Sequence, residues 1–244
     1  MCTITLFPLS GNKKGFVLTS NRDEVSGRQT LPPDFRENNG RKMLFPKDSV
    51  AGGTWIGVSD RLRLVCLMNG GFEKHQRANS YRKSRGIVVK DLLAAETSGE
   101  FLQSYEFYGI EPFTIVLVDW KEQLRFMQVV WDGQQLHSKQ LPLKLHIWSS
   151  APLYSPEMRE IRHQWLQDWT KKEGLSAESM LRFHHKAGVG DKELDLIIDR
   201  GFLKTQSISQ VIFDGTQIDF RYEDLNSKKI YSQNWSFSEE KRIS

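Results

Sequence analysis

The spacing of apolar and polar positions changes several times along the chain, and each change predicts an element. TITLFPL alternates or runs apolar, SGNKKG carries the Gly and Asn of a tight connection, and GFVLTSN is a second β-branched run, which predicts a β-hairpin. RQTLPPDFRENNGRK has the Pro and Gly density of a loop. In GGTWIGVSDRLRLVCLMNGG, TWIGV and LRLVCLM read as strands joined around Ser59-Asp60-Arg61. The period then becomes helical: NSYRKSRGIVVKDLLAAE sets Ile87, Val88, Leu92 and Ala95 on one face, and FLQSYEFYG continues in the same style. PFTIVLVDW and LRFMQVVWDG return to a strand pattern across a short connection at Lys121-Glu122-Gln123.

SPEMREIRHQWLQDWTKKEG gives the clearest helix, with Ser155 as N-cap, Pro156 at the first helical position and Gly174 just past the end. Its expected core stripe is Met158, Ile161, Trp165, Leu166 and Trp169. SAESMLRFHHK predicts a second helix capped by Ser176. SISQVIFDG and TQIDFRYEDL form a last hairpin around Asp214-Gly215, the strongest turn dipeptide of the chain. Strands, helices, strands, helices and strands in that order predict an α+β fold with mostly antiparallel sheet rather than βαβ alternation.

A length of 244 residues fits one domain spanning 1–244, and 39% apolar with 26% charged residues is an ordinary globular balance. The net charge of +4 comes from scattered Lys and Arg, which argues against a nucleic-acid partner. There is no apolar run long enough for a membrane span, and the N-terminus lacks the pattern of a signal peptide. With Cys2 and Cys66 as the only cysteines, no disulfide framework is expected, which fits a cytoplasmic location. Cys66 lies in an apolar strand and reads as inert.

No metal site is expected. His184 and His185 are adjacent and so do not face one another on a helix, and no Cys-x-x-Cys-His or His-Glu-x-x-His run is present. Arg77, Arg82, Lys83 and Arg85 read as a solvated helix face. GGTWIG lacks the Lys-Ser or Lys-Thr of a phosphate loop; its glycines are expected to allow close passage by Cys2, with Trp55 in the core.

The first hairpin brings Cys2 beside Asn21, Arg22 and Asp23. If Met1 is removed, the new α-amine has a reference pKa of about 7.7 to 8.0 and the thiol one of about 8.5, so the amine is a competent base for its own side chain. Arg22 would favour the thiolate, and Asp23 would hold the amine. The alternative is a small apolar residue opening an edge strand, with a polar strand end opposite. The residues by themselves leave both readings open.

MCT at the start, SNRDE some twenty residues on and AGGTWIG near residue 51 resemble the NRDE family, also called the transport and Golgi organisation protein 2 family, and the resemblance covers nearly the whole chain. That family is similar to the N-terminal nucleophile hydrolases, which implies a four-layer αββα sandwich of two mostly antiparallel sheets flanked by helices. In their cysteine branch, such as penicillin V acylases and bile salt hydrolases, an N-terminal cysteine works with an arginine and an aspartate. The resemblance therefore implies catalytic roles for Cys2, Arg22 and Asp23, with Asn69 as oxyanion donor and Glu24 as a substitute carboxylate. Asn21 and Trp55 are supporting candidates. Ser150 stands where relatives place an asparagine, and Gln206 where many carry an arginine.

The implied reaction is hydrolysis or transfer of an acyl group from a carboxamide or thioester of a small molecule, as an amidohydrolase or thioesterase would do, with no cofactor required. Family members are also implicated in haem trafficking and in acyl-coenzyme A or lipid homeostasis. The competing expectation is thus a non-catalytic carrier of haem or acyl-coenzyme A, favoured by Ser150 and Gln206.

Overall fold

The structure is a computed structural model that describes residues 2–11 and 14–237, and of Cys2 only the backbone. The expected thiol chemistry of Cys2 and the removal of Met1 lie outside the described residues. In chain order the elements are β1 (Cys2–Pro8), β2 (Phe16–Val25), β3 (Thr30–Asn38), β4 (Arg41–Asp48), β5 (Ile56–Ser59), β6 (Arg63–Asn69), α1 (Arg85–Ala94), α2 (Ser98–Ser104), β7 (Phe113–Asp119), β8 (Arg125–Trp131), β9 (Leu136–Leu141), β10 (His146–Ser149), α3 (Pro156–Glu173), α4 (Ala177–Lys186), β11 (Leu203–Phe213), β12 (Gln217–Asp224) and β13 (Lys229–Ser236). Among the described residues, no helix is long and apolar enough to cross a membrane.

The chain divides into two compact units. One joins the N-terminal segment up to Arg28 with the segment from Lys144 onward; the other holds Gln29–Leu143. The first unit contains an antiparallel sheet in the order β10-β1-β2-β11-β12-β13, with α3 and α4 packed on it. Phe7 and Val17 of the sheet meet Leu166 of α3, Met180 and Phe183 of α4, and Leu196. The second unit is an antiparallel meander, β3 to β9 in sequence order, on which Val88, Val89, Leu92 and Leu93 of α1 and Phe101 of α2 pack against Val65, Leu67, Ile115 and Leu117.

The caps of α3 and α4 form as expected. The Ser155 hydroxyl accepts from Met158 N–H and the Ser176 hydroxyl from Ser179 N–H, while Gly174 takes φ +74° past the end of α3. The stripe of α3 differs from expectation. Ile161 is exposed, and the fully buried position beside Leu166 belongs to Arg162.

RQTLPPDFRENNGRK is strand rather than loop. β3 and β4 are joined at Asn39-Gly40, both at positive φ, which is the geometry of a two-residue hairpin turn. Pro32 and Pro33 fall at a register shift between Leu31 and Asp34 on an edge strand, one of the few sheet positions that tolerate proline. The basic run is not a solvated helix face. Helix α1 starts at Arg85, which pairs with Glu111, and before it Arg82 donates to backbone carbonyls while Lys83 pairs with Asp91. The glycines of GGTWIG meet α1: a Cβ on Gly53 would stand 2.5 Å from the Gly86 carbonyl carbon.

Candidate functional site

The register of the first unit places the sequence candidates in rows across its central strands. Cys2 of β1 is opposite Arg22 of β2, and Arg22 in turn is opposite Ser207 of β11. Because successive residues of a strand face opposite sides, β2 sorts its polar run into two sets. Thr19, Asn21 and Asp23 share the side that carries the helices; Ser20, Arg22 and Glu24 share the other.

Arg22 is buried and pairs with Glu24 at 3.5 Å, and Glu24 also meets Arg28 at 3.8 Å. Burial opposes the charge of Glu24, yet the Val25 N–H, Arg22 and Arg28 hold its carboxyl below the usual carboxylate range. Glu24 is therefore an ionised partner for the guanidinium on its own side of the sheet. The register shift between Thr205 and Ser207 lies beside it. At that bulge the Gln206 amide donates to the Glu24 carbonyl at 3.2 Å and accepts from Asn226 at 2.5 Å, tying β2 and β11 to the segment after β12.

Asp23 is fully buried on the helix side. Tyr154 and Thr205 hydroxyls each donate to it at 2.7 Å. Burial pushes its carboxyl above the ordinary value despite these two donors. Tyr154 is raised well above a free phenol by burial and by the charge of Asp23, so it stays a donor. The turn that presents it is closed by the carbonyl of buried Ser150, which accepts from the N–H groups of Leu153 and Tyr154. Over the Tyr154 ring, 3.6 Å from its centroid, lies the guanidinium of Arg162. Arg162 donates to Thr3 Oγ1 at 2.7 Å and to the Leu194 and Asp195 carbonyls at 2.6 to 3.0 Å, so its bonds there all run to neutral acceptors.

Asn21 ends a second buried chain. Its amide donates to the His184 and Leu196 carbonyls, which fixes Oδ1 as the acceptor of His184 Nδ1–H at 2.6 Å. His184 Nε2 then accepts from the Thr5 hydroxyl at 2.8 Å. Both ring nitrogens are engaged and burial lowers the pKa to about 3, so this histidine is a neutral structural link rather than a base or a ligand. Among the described residues, no cluster of three His, Cys, Asp or Glu side chains is placed to hold a metal ion.

Asn69 and Trp55 belong to the second unit, where Asn69 closes β6 opposite Phe113 and Trp55 is buried with its carbonyl bonded to Leu67 N–H. The sequence reading named the strand residues of the site but missed Tyr154, Arg162, Thr205 and His184. The signal for Tyr154 was its place directly before an N-cap serine; the others carried none.

Comparison with known proteins places this geometry. A conjugated bile acid hydrolase mutant from Clostridium perfringens matches with a TM-score of 0.60 at 10% identity, covering 98% of this chain and 97% of that one. A Caenorhabditis elegans ortholog of N-acylethanolamine-hydrolyzing acid amidase matches with a TM-score of 0.61 at 10% identity, over 97% and 100% of the two chains. The α+β fold expected from the sequence, that of the N-terminal nucleophile hydrolases, is the fold of this chain. The Transport and Golgi organization 2 homolog of Mus musculus is 33% identical over 91 residues, 36% of this chain and 32% of that protein, so the match spans about a third of the curated relative's length. The family model described as Transport and Golgi organisation 2 matches residues 1–217, and the chain belongs to that family.

Proposed function

We propose that the chain is a cysteine hydrolase that cleaves the carboxamide or thioester of a small acyl compound, with Cys2 as nucleophile. The observation that carries this reading is the pairing of Cys2 with Arg22 across two strands, where Arg22 is buried and held by an ionised Glu24. A guanidinium fixed beside a thiol favours the thiolate. The names of the structural relatives, a conjugated bile acid hydrolase and an N-acylethanolamine-hydrolyzing acid amidase, point to acyl amides as the substrate class.

In the proposed reaction, Met1 has been removed and the α-amine of Cys2 takes the thiol proton. The sulfur forms a bond to the acyl carbon as the C–N or C–S bond to the leaving group breaks, and the leaving group takes the proton. Water then attacks the thioester, releasing the carboxylic acid and restoring the thiol. Arg22 is assigned the thiolate, and Asp23, ordered by Tyr154 and Thr205, the amine end of the strand.

The test is intact-mass analysis after exposure to an electrophilic acyl probe. The protein should lack Met1 and gain one acyl group, and Cys2→Ala should gain none. Labelling that persists in Cys2→Ala, or a retained methionine, overturns the mechanism.

A further inference from the structure

Arg162 of α3 has no part in the reaction above, yet the first unit buries it completely. Its hydrogen bonds run to the Leu194 and Asp195 carbonyls, to Thr3 Oγ1 at 2.7 Å and to Ser149 Oγ at 3.4 Å, all neutral oxygens. No ion pair among the described residues includes it. Donating to carbonyls and hydroxyls needs no permanent charge, since a side-chain amide also donates to them. A guanidinium taken out of water without a paired anion is costly, so a fixed positive charge at this place calls for a reason.

The contacts show where the charge acts. The guanidinium lies 3.6 Å from the centroid of the Tyr154 ring, and the Tyr154 hydroxyl donates to Asp23 at 2.7 Å. Arg162, Tyr154 and Asp23 thus run without a break from α3, through the turn before it, to β2. Charges on the neighbouring elements are engaged elsewhere. Arg200, 5.4 Å from the same ring, pairs with Glu193, Lys204 with Asp199, and His185 with Glu223. The Asp195 carboxylate accepts from the Val189 and Gly190 N–H groups, His184 is neutral, and Arg22 and Glu24 pair on the opposite side of the sheet. The positive charge of Arg162 opposes the burial that favours the protonated form of Asp23. Asp23 in turn follows Arg22, the partner of Cys2, on a strand antiparallel to β1, so its row is level with the α-amine that would end β1 once Met1 is gone.

We infer that Arg162 is a positioning residue for the nucleophile: it fixes the Tyr154 hydroxyl on Asp23 and supplies the positive charge against which that carboxylate holds the α-amine of Cys2. This inference rests on the acyl-transfer reading of Cys2. Arg162 touches neither substrate nor sulfur and acts only through Tyr154 and Asp23.

The test follows Asp23 directly, by carboxyl carbon NMR of the full chain labelled with carbon-13 aspartate and titrated between pH 3 and 8. Its signal is identified by its loss in Asp23→Asn. In Arg162→Met the carboxylate loses its cation and becomes harder to ionise, so the Asp23 midpoint should rise by about one pH unit. Labelling of Cys2 by the electrophilic acyl probe at pH 7, located by peptide mass, should slow about tenfold as the amine end loses its anchor. An Arg162 that only ties α3 to the sheet would lower the melting temperature and move neither reading. Should Arg162→Met fail to fold, Tyr154→Phe breaks the same link while leaving Arg162 its own bonds, and it should produce both changes. A wild type that takes no acyl group ends the acyl-transfer reading, and this inference with it. A labelled wild type beside a folded variant with an unmoved Asp23 midpoint, or with undiminished labelling, overturns this inference alone.

Discussion

His184 makes the fold that carries the candidate site sensitive to acid. Its ring is fully buried between Thr5 and Asn21, and its pKa falls from 6.5 to about 3 because burial disfavours the cation, with the charges of His185 and Arg162 adding to the effect. The folded state therefore binds this proton far less readily than the unfolded chain. The stabilisation is fully present above pH 6.5 and is lost as pH falls from 6.5 toward 3. Each pH unit in that window removes about 1.4 kcal/mol, so moving from pH 7 to pH 5 should cost about 2 kcal/mol through this one group. Urea unfolding of the wild type and His184→Gln at both pH values isolates the effect, since the two proteins share every other ionisable group. The variant should be less stable at pH 7, by about 1–3 kcal/mol for the broken chain of bonds, but should lose about 2 kcal/mol less on acidification. An identical acid loss in both proteins would refute the reasoning. Asn21 precedes Arg22 and Asp23, so a charged His184 would loosen the strand end that presents them.

Tyr154→Phe removes one of the two hydroxyl donors to buried Asp23 and should lower stability by about 1–3 kcal/mol; an unchanged denaturation midpoint at pH 7 would contradict the assigned bond. Gly53→Ala drives a methyl against the Gly86 backbone and should cost about 1–3 kcal/mol in the same assay. Gly99→Ala, in α2 with open space at the site, should instead be neutral or stabilise by up to about 1 kcal/mol.

Where a local rule decided the structure, the sequence was sufficient. Ser155, Pro156 and Gly174 bound α3 through capping chemistry that needs no tertiary partner, and Asp214-Gly215 turns β11 into β12 with the Asp214 carboxylate accepting from the N–H groups of Thr216 and Gln217. Cys2 and Arg22 fell opposite each other because the first hairpin fixes their register. Where a distant partner decided, the pattern misled. Ile161 looked like the core residue of α3, but Arg162 takes the interior because Thr3 and the Leu194 and Asp195 carbonyls wait there to receive its protons. The carboxylate paired with Arg22 is Glu24, two residues on, since strand alternation sends Asp23 to the opposite side. The meeting of Tyr154 and Thr205 with Asp23 left no trace in the local pattern, as it spans 131 and 182 residues of chain.

The two prolines that disguised β3 as a loop have a further effect. They lie at the border of the seven-stranded sheet, where an unpaired row of amides would invite a strand from another molecule. Neither Pro32 nor Pro33 has an amide to donate, and the register shift at this point spoils the straightness of the row, so a second chain finds no regular ladder to extend. Replacing both with threonine would leave the sheet's own pairing with β4 intact while opening its rim to self-association.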